Sequence, residues 1–224
     1  MNETSFERDL VKAAFDLGGQ QGWRRVSVAA AARHGGLDLA EARRHFSGVI
    51  PILARFGRLA DAHALDGAMT EGVVRDRLFD LLMRRIDFLQ QHRAGVIALM
   101  RHAPFDPGLA LWLSCANLNA MGWMLEGAGV SARGVRGEIR RKGLLAVWAW
   151  TLRAWLRDES EDLSATMAAL DKALARADRA VAQLHGRAAS AAPESMPESM
   201  TEPEVGMESD APFEPDAGDP VRPE

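Results

Sequence analysis

Between Arg141 and Asp171 the chain carries a helix-forming segment with almost no polar side, followed at once by an acidic, hydroxyl-bearing cap. The apolar positions of the first half are Leu144, Leu145, Val147, Trp148, Trp150, Leu152, Trp155 and Leu156. At ~100° per residue Trp148 and Trp155 nearly overlap while Trp150 points to a different flank, so the arc is too wide for one neighbouring helix. Such a helix must be enclosed by other helices, by a lipid or by a membrane. The central helix of a bundle is the commonest solution, and Thr151 and Arg153 argue against complete burial. In the second half, Asp158 with Glu161, or Ser160 itself, can satisfy the free N–H groups at the start of the last helix, where carboxylates also suit the helix dipole.

The remaining segments up to about Arg187 also read as helix, which predicts an all-α fold of about nine helices. A first helix from Thr4 to Gln20 places Phe6, Leu10, Ala13, Ala14 and Leu17 on one face and is expected to stop at Gly18-Gly19 and Gly22. Ser27 caps a short alanine-rich helix that ends at Gly35-Gly36. Asp38 caps the next, Leu39 to Phe46, and Pro51 to Ala64 follows. Then come Val74 to His92, with Leu78, Leu81, Leu82, Ile86 and Leu89 on one face, Ala94 to Met100, and Leu109 to Glu126. The tryptophan helix and a last helix from Asp162 to Leu184 complete the folded part.

Charge is unevenly distributed. The chain as a whole carries −4, yet 188–224 holds ten acidic residues and one basic, leaving the first 187 residues at about +5. The tail is rich in Pro, Glu, Ser and Met and cannot bury enough apolar surface to fold, so 188–224 is expected to be disordered. Cys115 is the only cysteine, which excludes internal disulfides and multi-cysteine metal sites. The six histidines show no metal-binding spacing, and no glycine-rich phosphate loop or nucleophile constellation is present. No catalytic residue, metal site or cofactor is expected, and the chain reads as non-enzymatic. No secretory signal and no apolar run of spanning length are apparent. The expected location is the cytoplasm, with peripheral contact to the inner membrane open to it.

The register of the first fifty residues resembles the N-terminal unit of TetR-type regulators. Gly22-Trp23 falls after the first helix, Ser27-Val28 opens the second, Gly36-Leu37 makes the turn, and Arg44-His45-Phe46 closes the third. The resemblance implies a helix-turn-helix unit over 1–50, followed by a larger helical domain over 51–187. DNA binding does not follow from it. Asp38 and Glu41 on the third helix would repel phosphates, and the first 46 residues hold seven basic against six acidic side chains. Arg33, Arg43, Arg44 and His45 are the candidates for phosphate contacts if DNA is bound.

A second resemblance covers most of residues 5–183. Leu144-Leu145-Ala146, then Asp158, Ser160, Asp162, Thr166, Leu170 and Asp171 at their spacing, resemble the C-terminal signature of the Coq-nine family. Gly22-Trp23, and Trp123 with Gly127, add to it. That resemblance implies a lipid-binding accessory protein of ubiquinone biosynthesis, holding an isoprenoid lipid or ubiquinone precursor for a partner hydroxylase. The residues expected to line the lipid site are Leu111, Trp112, Cys115, Leu118, Met121, Trp123, Leu144, Trp148, Leu152 and Trp155. Two departures stand out. Glu138-Ile139 replaces the aromatic pair that mitochondrial members carry, and an acidic tail replaces their amphipathic terminal helix. Membrane contact would then fall to Arg133, Arg136, Arg140 and Arg141. The alternative function is a TetR-type repressor with a hydrophobic effector, and a homodimer is expected under either. A dimeric structural bundle without a ligand is the third class.

Overall fold

The computed structural model describes residues 3–190, and its regular structure there is helical throughout. In chain order the helices are α1 (Glu3–Gln21), α2 (Val28–His34), α3 (Leu39–His45), α4 (Val49–Leu65), α5 (Val74–Gln91), α6 (Arg93–His102), α7 (Pro107–Gly127), α8 (Gly134–Trp155) and α9 (Ser164–Ser190). Short 3-10 turns occupy Trp23–Arg25 and Ala103–Phe105. The all-α architecture expected from periodicity is the one adopted, with nine α-helices among the described residues. Of the tail expected to be disordered, 191–224 lie outside the described residues.

Local hydrogen bonding builds the N-terminal unit as its sequence indicates. The Ser27 hydroxyl accepts from the Ala30 N–H at 3.1 Å and the Asp38 carboxylate from the Glu41 N–H at 2.7 Å. These contacts satisfy donors that a helix start otherwise leaves unpaired. Phe6, Leu10 and Ala14 of α1 share a buried core with Ala31, Ala32, Ala42 and Phe46.

Gly18 and Gly19 do not stop α1. They lie inside it, and the chain leaves the helix only at Gly22, whose φ is +82°. Their smallness serves close approach. A Cβ on Gly18 would stand 2.9 Å from the Trp23 ring, and one on Gly19 would stand 2.9 Å from the Ala94 Cβ on α6. On the facing helix, a Cβ on Gly95 would lie 2.4 Å from the Phe15 carbonyl oxygen. α1 and α6 therefore cross nearly backbone to backbone. Trp23 closes the junction, its Nε1–H donating to the Gly95 carbonyl at 2.8 Å. Beside it Phe15 stacks on Phe56 with ring centroids 3.8 Å apart, and Phe88 and His92 complete the aromatic cluster.

Among the described residues, the tryptophan helix is enclosed on one side only. α8 packs on α7 and α9, burying Leu144, Val147, Trp148, Thr151 and Trp155. Its outer stripe, Ile139, Gly143, Ala146 and Trp150, is exposed. The Arg176 guanidinium of α9 lies 5.7 Å from the centre of the Trp150 ring. The absence of a polar face thus records two surfaces, of which the described residues cover one.

Asp158 makes the corner between α8 and α9. Its carboxylate accepts from the backbone N–H and the hydroxyl of Thr166, both at 2.7 Å, and from the N–H and hydroxyl of Ser160. Asp162 accepts from the Ser164 N–H at 3.1 Å. Capping is the role expected for this segment, carried out here by Asp158 and Asp162. Burial acts to raise the Asp158 pKa, but its hydrogen bonds favour the ionised form more strongly and hold it at about 2. Asp158→Ala should cost about 2 kcal/mol of stability at neutral pH, measured by urea unfolding. The folded-state pKa lies below the unfolded value of ~3.9, so the difference from the parent protein is full above that value. It should shrink as the pH falls towards about 2.

Candidate ligand cavity and helix-turn-helix face

Helices α4 to α8 surround a partly open cavity of about 320 Å³. Leu53 and Phe56 of α4, Leu89 of α5, Val96 and Leu99 of α6, and Trp112, Leu113 and Trp123 of α7 supply apolar wall, with Trp148 and Leu152 of α8 opposite. The volume stands at the lower end of the ~300–1,000 Å³ typical of small-molecule sites. A second, more open hollow of about 370 Å³ shares Leu113, Asn117, Trp148 and Leu152 with it.

A polar cluster interrupts this wall, which the exposed Arg58 and Asn119 also border. Arg85 falls within the buried stripe of α5 formed by Leu81, Leu82, Ile86 and Leu89, and Asp61 falls between the buried Ala60 and Ala64 of α4. Helical register therefore carries both charges inward. Arg85 Nε lies 3.0 Å from Asp61 Oδ1, and the guanidinium sits over the Trp148 ring at 4.8 Å from its centre. Both Nε and Oδ1 are buried, so the ion pair is held away from water. Asn117 links the cluster to α8: its Oδ1 accepts from Arg85 Nη1 at 3.3 Å and from Trp148 Nε1 at 3.0 Å. The Asn117 amide donates to the Leu113 carbonyl at 2.9 Å. Burial raises the Asp61 pKa and lowers that of Arg85, and in each case the partner's charge opposes the shift.

Of the ten residues expected to line a lipid site, the structure brings Trp112, Trp123, Trp148 and Leu152 to the cavity. Met121, Leu144 and Trp155 lie in the packed core, Leu118 is half-buried, and Leu111 and Cys115 are exposed. Trp155 is an anchor: its Nε1–H donates to the Gln90 Oε1 at 2.9 Å, and Arg93 stacks on its ring at 4.7 Å. Asp61, Arg85 and Asn117 were not anticipated. The available signal was a charged residue within an otherwise apolar helical stripe at Arg85. Among the described residues no cluster of three His, Cys, Asp or Glu side chains is placed to hold a metal ion. No helix there is long and apolar enough to cross a membrane.

At the other end of the molecule, α3 turns Leu39, Ala40, Arg43 and Arg44 outward, and Arg33 of α2 is exposed as well. His45 is half-buried, tilted against Phe6 and 3.7 Å from Glu7, which also binds Arg55 at 2.7 Å. The near balance of charge over the first 46 residues conceals a division. Four of the six acids belong to α1, whereas Trp23 to Phe46 carries five arginines against Asp38 and Glu41. Asp38 is engaged as a cap, and Glu41 is half-buried on the flank of α3 away from Arg43.

No family model matches this sequence, and no curated protein matches it. Solved structures do. A TetR transcriptional regulator from Nitrosomonas europaea is 21% identical, with a TM-score of 0.63 over 78% of this chain and 98% of its own. A TetR-family regulator from Streptomyces coelicolor is 21% identical, with a TM-score of 0.56 over 88% of this chain and 94% of its own. A TetR regulator from Rhodococcus is 15% identical, with a TM-score of 0.53 over 79% and 97%. The chain has the TetR-like fold. These matches overturn the expected ubiquinone-accessory function: the similar structures are transcriptional regulators, and none points to the Coq-nine family. The isoprenoid lipid or ubiquinone precursor and the partner hydroxylase fall with that function. The spacing that suggested it has a local explanation. Asp158 caps Thr166, and Leu163 and Leu170 are buried beside them, so the signature describes a helix corner.

The ion pair gives the site a measurable signature. Asp61→Leu leaves Arg85 buried without its counter-ion and should cost roughly 3–5 kcal/mol. The double variant Asp61→Leu with Arg85→Met should recover most of that loss in guanidinium unfolding, because both charges are then gone.

Proposed function

We propose that this protein is a non-enzymatic, TetR-type transcriptional regulator in which residues 1–50 contact DNA and 51–187 hold a small apolar effector and pair with a second copy. The observation that carries the reading is the continuity of α4 and α6 between the two regions. On α6, Gly95 touches α1 while the adjacent Val96 lines the cavity. On α4, Phe56 stacks on Phe15 of α1 and also forms cavity wall. A ligand that displaces Val96 or Phe56 therefore acts directly on the seat of the helix-turn-helix unit. The outward residues of α3 support groove contact, with Arg43 and Arg44 available to phosphates and the small Ala40 permitting close approach.

Homodimerisation is the reading favoured for the uncovered stripe of α8. Gly143 and Ala146 leave room for another helix between Ile139 and Trp150, a shape suited to a self-complementary contact across a two-fold axis. Trp150→Glu should convert a dimer into a monomer in sedimentation equilibrium; a parent protein that is already monomeric would refute the pairing.

DNA binding is tested by mobility shift of the DNA upstream of the protein's own gene. Binding should weaken steeply with salt, and Arg43→Ala or Arg44→Ala should each lower the slope of log K against log salt by about 1. Affinity for that DNA no greater than for unrelated duplex, with no response to either substitution, would refute the regulator reading.

A further inference from the structure

We propose that the cavity's ligand is a small, neutral, hydroxyl-bearing apolar molecule, a medium-chain alcohol or substituted phenol, whose hydroxyl bridges Asp61 and Arg85. This deepens the regulator reading and rests on it for the ligand's role as effector, though not for binding itself.

The less exposed polar groups of the cavity wall define the head group, since Arg58 and Asn119, which also line it, are exposed to solvent. Asn117 has both ends occupied, by the Leu113 carbonyl on one side and by Arg85 and Trp148 on the other. The indole N–H of Trp148 is engaged in the same contact. Asp61 Oδ1 and Arg85 Nε are shut away from the cavity space, in contact with each other. The Asp61 side chain nevertheless keeps 18% of its surface exposed and Arg85 6%. Both side chains line the cavity, and together they offer it a carboxylate acceptor and a guanidinium donor. A hydroxyl matches that pair, donating its proton to the carboxylate and accepting from the guanidinium.

At the Asp61–Arg85 pair, charge disfavours the alternatives. A carboxylate head attracted by Arg85 would meet Asp61, and an ammonium attracted by Asp61 would meet Arg85. Each would enter a poorly solvated site in which a like charge is already fixed, at a cost that a neutral head avoids. Leu53, Leu89, Leu99 and Leu152 then receive the apolar body.

Isothermal titration of the full chain with 1-octanol, octanoate and octylammonium at neutral pH tests this. Octanol should bind at least about tenfold more tightly than either ion, and the double variant Asp61→Leu with Arg85→Met should lose about tenfold in octanol affinity. The comparison on the parent protein stands by itself if the double variant does not fold. Tightest binding of octanoate, tightest binding of octylammonium, equal binding of all three, or no binding would each overturn the proposal. Octanol binding without a mobility shift of upstream DNA would leave the ligand assignment intact and refute the regulator reading alone. A mobility shift without octanol binding would do the reverse.

Discussion

The crossing of α1 over α6 governs how the rest of the molecule is arranged. Two helices normally stand 8–10 Å apart because side chains separate them. Here Gly19 and Gly95 remove that separation, and Trp23 bolts the contact from the flank. The N-terminal unit consequently cannot shift on the larger bundle without moving α6, and α6 cannot move without altering the cavity wall at Val96 and Leu99. A junction of glycines and rings transmits displacement because it has little compressible volume.

The cavity imposes a different constraint. An arginine and an aspartate buried among leucines and tryptophans cost more to desolvate than an apolar pair of the same shape, so packing alone does not account for them. Asn117 and the Trp148 indole lower that cost by hydrogen bonding and by stacking. The cluster thereby fixes the relative positions of α4, α5, α7 and α8 around one point, which pure hydrophobic packing specifies less sharply.

What could be read in the sequence was local. Ser27 and Asp38 act on N–H groups three residues away, and the apolar stripe of α5 repeats within its own helix, so these features were legible without the fold. Gly18 and Gly19 resemble a helix stop in sequence because close approach to another helix leaves no trace in neighbouring residues. Asp61 looks like an ordinary surface charge until the register of α4 turns it inward, whereas Arg85 already stands inside the apolar stripe of α5. The Asp158 to Asp171 pattern was read correctly as a cap and wrongly as a functional signature. Its spacing is dictated by how one helix turns into the next, and that requirement is independent of any pathway.

One consequence of the fold is optical. The chain has six tryptophans and no tyrosine, so its near-ultraviolet emission comes from indoles alone. Three of them, Trp112, Trp123 and Trp148, border the same cavity, and Trp148 lies against a guanidinium whose charge perturbs the excited indole. Anything that fills the cavity changes the polarity around half of the chromophores, so its occupancy is written directly into the colour and intensity of the protein's own light.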